Sequence, residues 1–296
     1  MVEPGLVLID KPTDWTSHDV VAKVRKAVGT KKVGHAGTLD PLATGLLVLG
    51  IESGTKLLTF LVGADKTYLA TIRLGVSTVS DDSQSEILTT TTPAALAQLT
   101  PEMIEKEMAK LTGVISQRPS SVSAIKVDGK RAYDLVRAGE EVELKSREVT
   151  VDTFELLSSS NSAEGYLDLE VKVDCSSGTY IRALARDLGA ALGVGGHITA
   201  LRRTKVGSFD VSAANSITDL ENLRLTPLAK AASDLFPTVS LSDAQVTDLV
   251  HGKRLTDIPS TSSLIAGLSG AGQLVAVLEP AGSGLKSVVV FQGEQK

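Results

Sequence analysis

Val33-Gly-His-Ala-Gly-Thr-Leu-Asp-Pro-Leu-Ala-Thr-Gly-Leu-Leu47 is the stretch on which the reading of this chain turns. Three glycines and a proline shape it as a loop that carries His35 and Asp40. In isolation an Asp-Pro pair in such a loop initiates a turn and does nothing more. Its flanks change that weighting. Upstream, Val20–Leu39 holds five bases (Lys23, Arg25, Lys26, Lys31, Lys32) and no acid, which makes an anion-attracting rim. Downstream, Leu46–Ile51 is a continuous apolar run, a buried strand that would form the floor of the loop.

Working outward, Gly5–Asp10 reads as a strand stopped by Lys11-Pro12. Ser17 reads as the N-cap of a helix carrying Val20, Val21, Val24 and Val28 and closed by Gly29, and 30–45 as loop. Thr55–Val62 is a helix. Tyr68, Ala70, Ile72 and Leu74 alternate, so Lys66–Leu74 is a strand. Val76–Pro93, rich in Ser, Thr and Asp, is expected to be a mobile surface loop. Thr100-Pro101 opens a helix ending at Gly113. Beyond it strands near 123–127, 149–158, 166–175 and 205–211 alternate with helices over 130–138 and 180–192. Leu225–Leu235 is helix-like, and a boundary falls near Phe236-Pro237. After that the chain is short-stranded and glycine-rich (Leu264–Leu268, Gln273–Leu278, Ser287–Phe291), as in a small β-barrel-like module. The expectation is an α+β protein with domains at 1–236 and 237–296.

The 296 residues are 42% hydrophobic and 22% charged, which excludes wholesale disorder. No apolar run reaches the ~18 residues needed to span a bilayer, and the N-terminus lacks a signal peptide's basic and apolar regions. Cys175 is the single cysteine, so an internal disulfide and a cysteine-based metal site are both excluded, and a reduced cytoplasmic setting is expected. The residues Gly50-Ile-Glu-Ser-Gly-Thr-Lys56 fail the phosphate-loop spacing. There is no G-x-G-x-x-G, H-E-x-x-H or G-x-S-x-G, and His18, His35, His197 and His251 have no ligand spacing. Metal and nucleotide cofactors are not expected.

Thirty bases against 35 acids give a net charge of −5, which argues against a nucleic-acid partner until it is resolved along the chain. Gln117–Arg137 holds five bases against two acids, and Ile181–Gly207 five against one. Glu140–Asp174 holds ten acids and three bases. Taken singly, such clusters read as solvated helix faces. Taken together, the bases are expected to line one face and the acids to lie away from it.

The segment Gly34–Leu46 closely resembles the catalytic motif of the TruB-type tRNA pseudouridine-55 synthases. The resemblance extends, in order, over Asp10-Lys-Pro12 with Trp15-Thr-Ser17, Asp65-Lys-Thr-Tyr68, Pro119-Ser120 through Ser123-Ala-Ile-Lys126, Ser177-Gly-Thr-Tyr-Ile-Arg182, and His197 through Leu201-Arg-Arg203. It implies the pseudouridine synthase fold: a long mixed, mostly antiparallel sheet with flanking helices, and a small PUA-like RNA-binding module at the C-terminus. It implies isomerisation of a uridine in the T-loop of tRNA by base flipping, without cofactor, metal or membrane and without an obligatory protein partner. Asp40 matches the catalytic aspartate, Arg182 its paired arginine and Tyr68 the tyrosine that stacks on the target base. Tyr180 and Leu201 match the lining of the uracil pocket, and His35 the histidine that contacts the displaced RNA. Asp82 and Lys11 are candidate supporting residues. The sequence departs from the family at Asp14, where glycine is usual, at Thr78-Val-Ser80, and at Ser121-Val122. Two rival readings are a guide-RNA-dependent synthase subunit and a non-catalytic RNA-binding or RNA-folding protein on the same scaffold.

Overall fold

The computed structural model describes residues 2–120, 122, 126–127, 130–131, 144–256, 258 and 262–291, with 126–127 and 130–131 described for the backbone alone. One long sheet organises most of the chain. Its order is Asn215–Ser216, Gly5–Lys11, Thr44–Ile51, Gly196–Val206, Lys66–Leu74, Leu167–Cys175, Arg147–Asn161, Gly113–Gln117. All neighbours in this order are antiparallel except the first pair and the pairing of Thr44–Ile51 with Gly196–Val206. That second parallel contact is only two residues long, Arg202 opposite Thr44 and Arg203 opposite Gly45. It is the seam between two halves of the sheet. Gly45 is required there: its φ is +97°, and a Cβ would lie 2.2 Å from the Arg203 carbonyl oxygen.

Each half has its own core. Helix Ser17–Val28 buries Val20, Val21 and Val24 with Val7, Ile9, Leu47 and Leu49 on one side of the N-terminal strands. The other half packs Tyr68, Ile72, Val171 and Val173 against Leu184 and Leu188 of helix Ile181–Ala191, with Ile104 and Met108 of helix Pro101–Lys110. The C-terminal strands form a separate sheet, Thr238–Leu241, Ile265–Ser269, Leu274–Ala281, Gly284–Val290. This sheet shares a core with the main one, since Ala266, Leu274 and Val277 pack with Leu6, Leu8, Leu46 and Val48.

Several local expectations change. Thr16, not Ser17, caps the first helix: its side chain accepts from Asp19 N and the Asp19 carboxylate accepts from Thr16 N, a closed capping box that leaves Ser17 free for other work. Within the expected 30–45 loop, Val33–Ala36 pairs with Thr44–Ile51 as a short strand, with Gly34 opposite Gly50, and a Cβ at Gly50 would lie 2.5 Å from the Gly54 carbonyl oxygen in the following turn. Glu52–Leu57 is a 3-10 turn before the short helix Leu58–Val62. Residues 76–93 are built, not loose: Val76–Thr78 pairs with Ile87–Thr90, and Thr78, Ser80, Asp81 and Asp82 are buried. Gly196–Val206 is one strand where only 205–211 had been expected. Lys130–Arg131 pairs with Lys126–Val127 instead of opening a helix, and the rest of 123–125 and 132–138 lies outside the described residues. Asp14 takes the glycine position of the family turn at φ +62°, a left-handed conformation that aspartate tolerates.

Candidate active site

The loop 37–43 crosses the seam, and backbone groups at Gly37, Leu39 and Pro41 are held from outside it. The Gly37 carbonyl accepts from Arg203 Nη2–H at 3.0 Å. Ser17 brackets Leu39: the hydroxyl accepts from Leu39 N at 2.9 Å and donates to Leu39 O at 3.2 Å. The Pro41 carbonyl accepts from Lys11 Nζ (3.2 Å) and from Asp14 N (2.9 Å), and the Asp40 carbonyl from Ala43 N (3.0 Å). The backbone on either side of Asp40 is therefore fixed while its carboxylate stays 42% exposed. A loop braced in this way presents one reactive group with little freedom to move it.

Asp40 Oδ2 lies 3.0 Å from Nε of Arg182, in the first turn of helix Ile181–Ala191. Arg182 is buried, with its other nitrogens also engaged. Nη1 donates to Ser80 O (2.7 Å) and pairs with Asp82 Oδ2 (3.3 Å), and Nη2 donates to Val122 O (3.0 Å). A guanidinium locked by four partners holds the Asp40 carboxylate in one orientation. Tyr68 lies opposite Arg203 in the strand register. Burial pushes the Tyr68 hydroxyl above the usual phenol range, with Arg203 opposing the shift, so at neutral pH the ring is a neutral phenol. A cavity of about 380 Å³ opens over these groups, lined by Asp40, Tyr68, Tyr180, Arg182, Leu201 and Arg203 among others. That volume falls within the usual range for a small-ligand site.

The expected residues do not all meet. Asp40, Tyr68, Tyr180, Arg182 and Leu201 share the cavity. Asp82 joins through Arg182, and Lys11 acts from beneath the loop through Pro41. His35 does not line the cavity; it sits on the Val33–Ala36 strand, its ring edge-to-face with His18 at 5.7 Å. Burial, helped by His18 and Arg203, pulls its pKa down, so it is neutral at neutral pH, and its Nδ1 has no hydrogen-bond partner. Tyr180 is set by Gln117, whose side chain donates to Tyr180 O (3.1 Å) and accepts from Tyr180 N (2.8 Å).

No motif in the local sequence marks Arg203, Lys66 or the candidate support Lys11 as buried, or half-buried Arg147 as a neighbour of Tyr180. Arg203 is fully buried and donates to Leu46 O and Gly37 O. Lys11 and Lys66 are buried too, each donating to three backbone carbonyls, and burial lowers both to about 8. Arg147 stands over the Tyr180 ring at 4.9 Å and donates to Gly178 O. Had 196–206 been read with period two, adjacent Arg202 and Arg203 would have been sent to opposite faces, and one of them into the protein.

The expected basic face is accordingly corrected. In 181–207, Arg182, Arg186, Arg202 and Arg203 are taken up by Asp40 and Asp82, by Asp81 and Asp187, by Asp10, and by carbonyls. Arg182 and Arg203 are buried inside the fold, and Arg186 and Arg202 are half-buried and paired with acids. The bases of 20–39 stay exposed, with Lys23 over the Trp15 ring at 5.2 Å and Lys32 within 3.8 Å of Glu52. Of 117–137, Arg118 is exposed and the other four side chains lie outside the described residues. None of the described acids of 140–174 lines the cavity.

Comparison with known proteins agrees with this geometry. Residues 25–181 match the model of the TruB family pseudouridylate synthase N-terminal domain, 182–240 that of the tRNA pseudouridylate synthase B C-terminal domain, and 236–292 that of the tRNA pseudouridine synthase II C-terminal region. The chain is 56% identical to tRNA pseudouridine synthase B of Leifsonia xyli subsp. xyli over 100% of this chain and 95% of that one. To the protein of the same name from Paenarthrobacter aurescens it is 49% identical, over 97% and 94%. Among solved structures it resembles a chain of an H/ACA RNP bound to a substrate RNA containing 2'-deoxyuridine, with a TM-score of 0.71 and 25% identity over 98% of this chain and 86% of that one. With a family model covering more than half its length and full-length relatives above 45% identity, the chain belongs to the TruB family of pseudouridylate synthases.

Proposed function

We propose that this pseudouridine synthase acts on tRNA, converting the uridine at position 55 of the T-loop by flipping it into the cavity over Asp40. The observation that carries the reading is the Asp40–Arg182 pair, 3.0 Å apart, beneath a cavity shared with Tyr68, Tyr180 and Leu201. A base inside a folded loop is out of reach until it leaves its stack, and the cavity offers the aromatic and aliphatic walls that receive it. Substrate and product are isomers. The N1–C1′ bond breaks, a C5–C1′ bond forms, the C5 proton leaves and N1 gains one. No electron or group enters from outside, so the reaction needs no cofactor or metal. Attack of Asp40 on the sugar and addition to the base both require its carboxylate ionised and aimed, and the Arg182 pairing supports that state. Tyr68 enters as a neutral phenol whose ring stacks on the uracil.

The same reading takes Tyr180 and Leu201 as pocket walls, His35 as a contact to displaced RNA outside the pocket, and Asp82 and Lys11 as supports. Residues 1–236 form its catalytic part and 237–296 its PUA-like RNA-binding module. The T-arm of tRNA is the partner, met without guide RNA or obligatory protein, in the cytoplasm. The test is incubation with an unmodified tRNA transcript, chelator present and no guide or cofactor added, followed by mapping of pseudouridine. Product at position 55 supports the proposal. Product only when a guide RNA is supplied would transfer it to the guide-dependent class, and tRNA binding with no product would leave a non-catalytic RNA binder.

A further inference from the structure

Two arginines one turn apart on helix Ile181–Ala191 reach toward two adjacent aspartates. Arg182 pairs with Asp82 and Asp40; Arg186 pairs with Asp81, Nη1 to Oδ2 at 3.1 Å. Asp81 is buried, has φ +60°, and accepts a hydroxyl bond from Ser120 at 2.6 Å. Nη2 of Arg186 donates to Arg118 O at 2.7 Å, as Nη2 of Arg182 donates to Val122 O. The 81–83 segment is pinned to the strand Gly196–Val206 by Ile198 N to Asp81 O and Ser83 N to Ile198 O.

Arg182 thus draws its partners from 80–82 and 122, and Arg186 holds Asp81 in the first of these segments and the Arg118 carbonyl. The carboxylates also compete. Burial raises the Asp81 pKa, and Ser120, Arg186 and Arg182 each pull it back toward the charged form. Remove Arg186, and a buried carboxylate with only the Ser120 hydroxyl for company would attract the nearest guanidinium, which is the one oriented on Asp40.

We infer that Arg186 is a positioning residue: by holding Asp81 it reserves Arg182 for Asp40. The inference rests on the reading of Asp40 and Arg182 as the reacting pair.

The test uses the full chain and an unmodified tRNA transcript, with single-turnover rates at saturating tRNA, tRNA affinity, and hydrogen exchange of the free protein. Arg186→Ala is expected to lower the single-turnover rate about tenfold with tRNA affinity changed by less than about threefold. Asp81→Asn alone keeps an acceptor for Ser120 and Arg186 and is expected to stay within about threefold of wild type. The deciding variant is the double one: Asp81→Asn added to Arg186→Ala removes the competing charge and is expected to recover at least threefold of the lost rate. A purely structural pair gives the opposite, a double variant no faster than Arg186→Ala. A rate within twofold of wild type in Arg186→Ala also overturns the inference. If Arg186→Ala does not fold, Arg186→Lys, which retains one charge and one contact, is expected to fall between, and a wild-type rate in it would overturn the inference. The exchange measurement needs no substrate. Faster exchange at the Ile198 and Ser83 amides in Arg186→Ala supports the clamp, and unchanged exchange refutes it even if wild type makes no pseudouridine, a result that would separately refute the proposed function.

Discussion

Ser17→Ala should damage catalysis out of proportion to its size. The Ser17 side chain is almost wholly buried, 1% exposed for the residue, and its hydroxyl is the partner of both the N–H and the C=O of Leu39, the residue before Asp40. Alanine leaves two buried backbone groups unpaired, at about 1–3 kcal/mol each, so a loss of about 2–4 kcal/mol is expected after local relaxation. The helix itself is spared, because its cap is Thr16 with Asp19. For 296 residues the unfolding entropy is about 0.6 kcal/mol/K, so the thermal midpoint should drop by about 3–7 °C. Release of Leu39 also frees the backbone that aims Asp40. Displacements of about 1 Å can cost ~100-fold in rate, so a 10- to 100-fold fall in the single-turnover rate is expected with tRNA affinity little changed. Differential scanning fluorimetry and single-turnover pseudouridine formation below the midpoint read both effects. A midpoint within 1 °C and a rate within about twofold of wild type would show that Ser17 does not brace the loop.

Two further outcomes follow from charge. Lys11 is lowered to about 8 in the folded state against 10.5 unfolded, so between those values the unfolded chain binds the proton that the native chain has lost, and stability rises with pH. The stability of wild type minus that of Lys11→Met, measured by urea unfolding, should therefore rise from pH 8 to 10.5, by at most about 3.4 kcal/mol; a flat or falling difference contradicts burial of the charge. Lys23, Lys26 and Lys31 are exposed, and changing all three to alanine should reduce the slope of log affinity for tRNA against log salt by about two to three; an unchanged slope removes them from the RNA face.

What could be read in the sequence was what depends on local order. The alternation at Lys66–Leu74 gave that strand to the residue, and Asp40, Tyr68, Tyr180, Arg182 and Leu201, each singled out by a short motif, line one cavity. What was hidden depends on contacts distant in sequence. Arg203, Lys11 and Lys66 look like surface charges until the seam and the loops fold over them, and they are then satisfied by backbone carbonyls that carry no sequence signal. The polar segment 76–93 looked mobile because its buried carboxylates, Asp81 and Asp82, find partners 39 to over 100 residues away in Ser120, Arg182 and Arg186. The net charge of −5 misled for a related reason, since many bases of 181–207 are paired within the fold while all five of 20–39 are displayed.

The most direct measurement is pseudouridine mapping on an unmodified tRNA transcript with Asp40→Asn beside wild type, together with the tRNA affinity of each. Asparagine fills the same space without the charge that Arg182 holds at 3.0 Å. Wild type is expected to modify position 55, Asp40→Asn to form no pseudouridine, and the two affinities to lie within about threefold of one another. Pseudouridine formed by Asp40→Asn at the wild-type rate would contradict it.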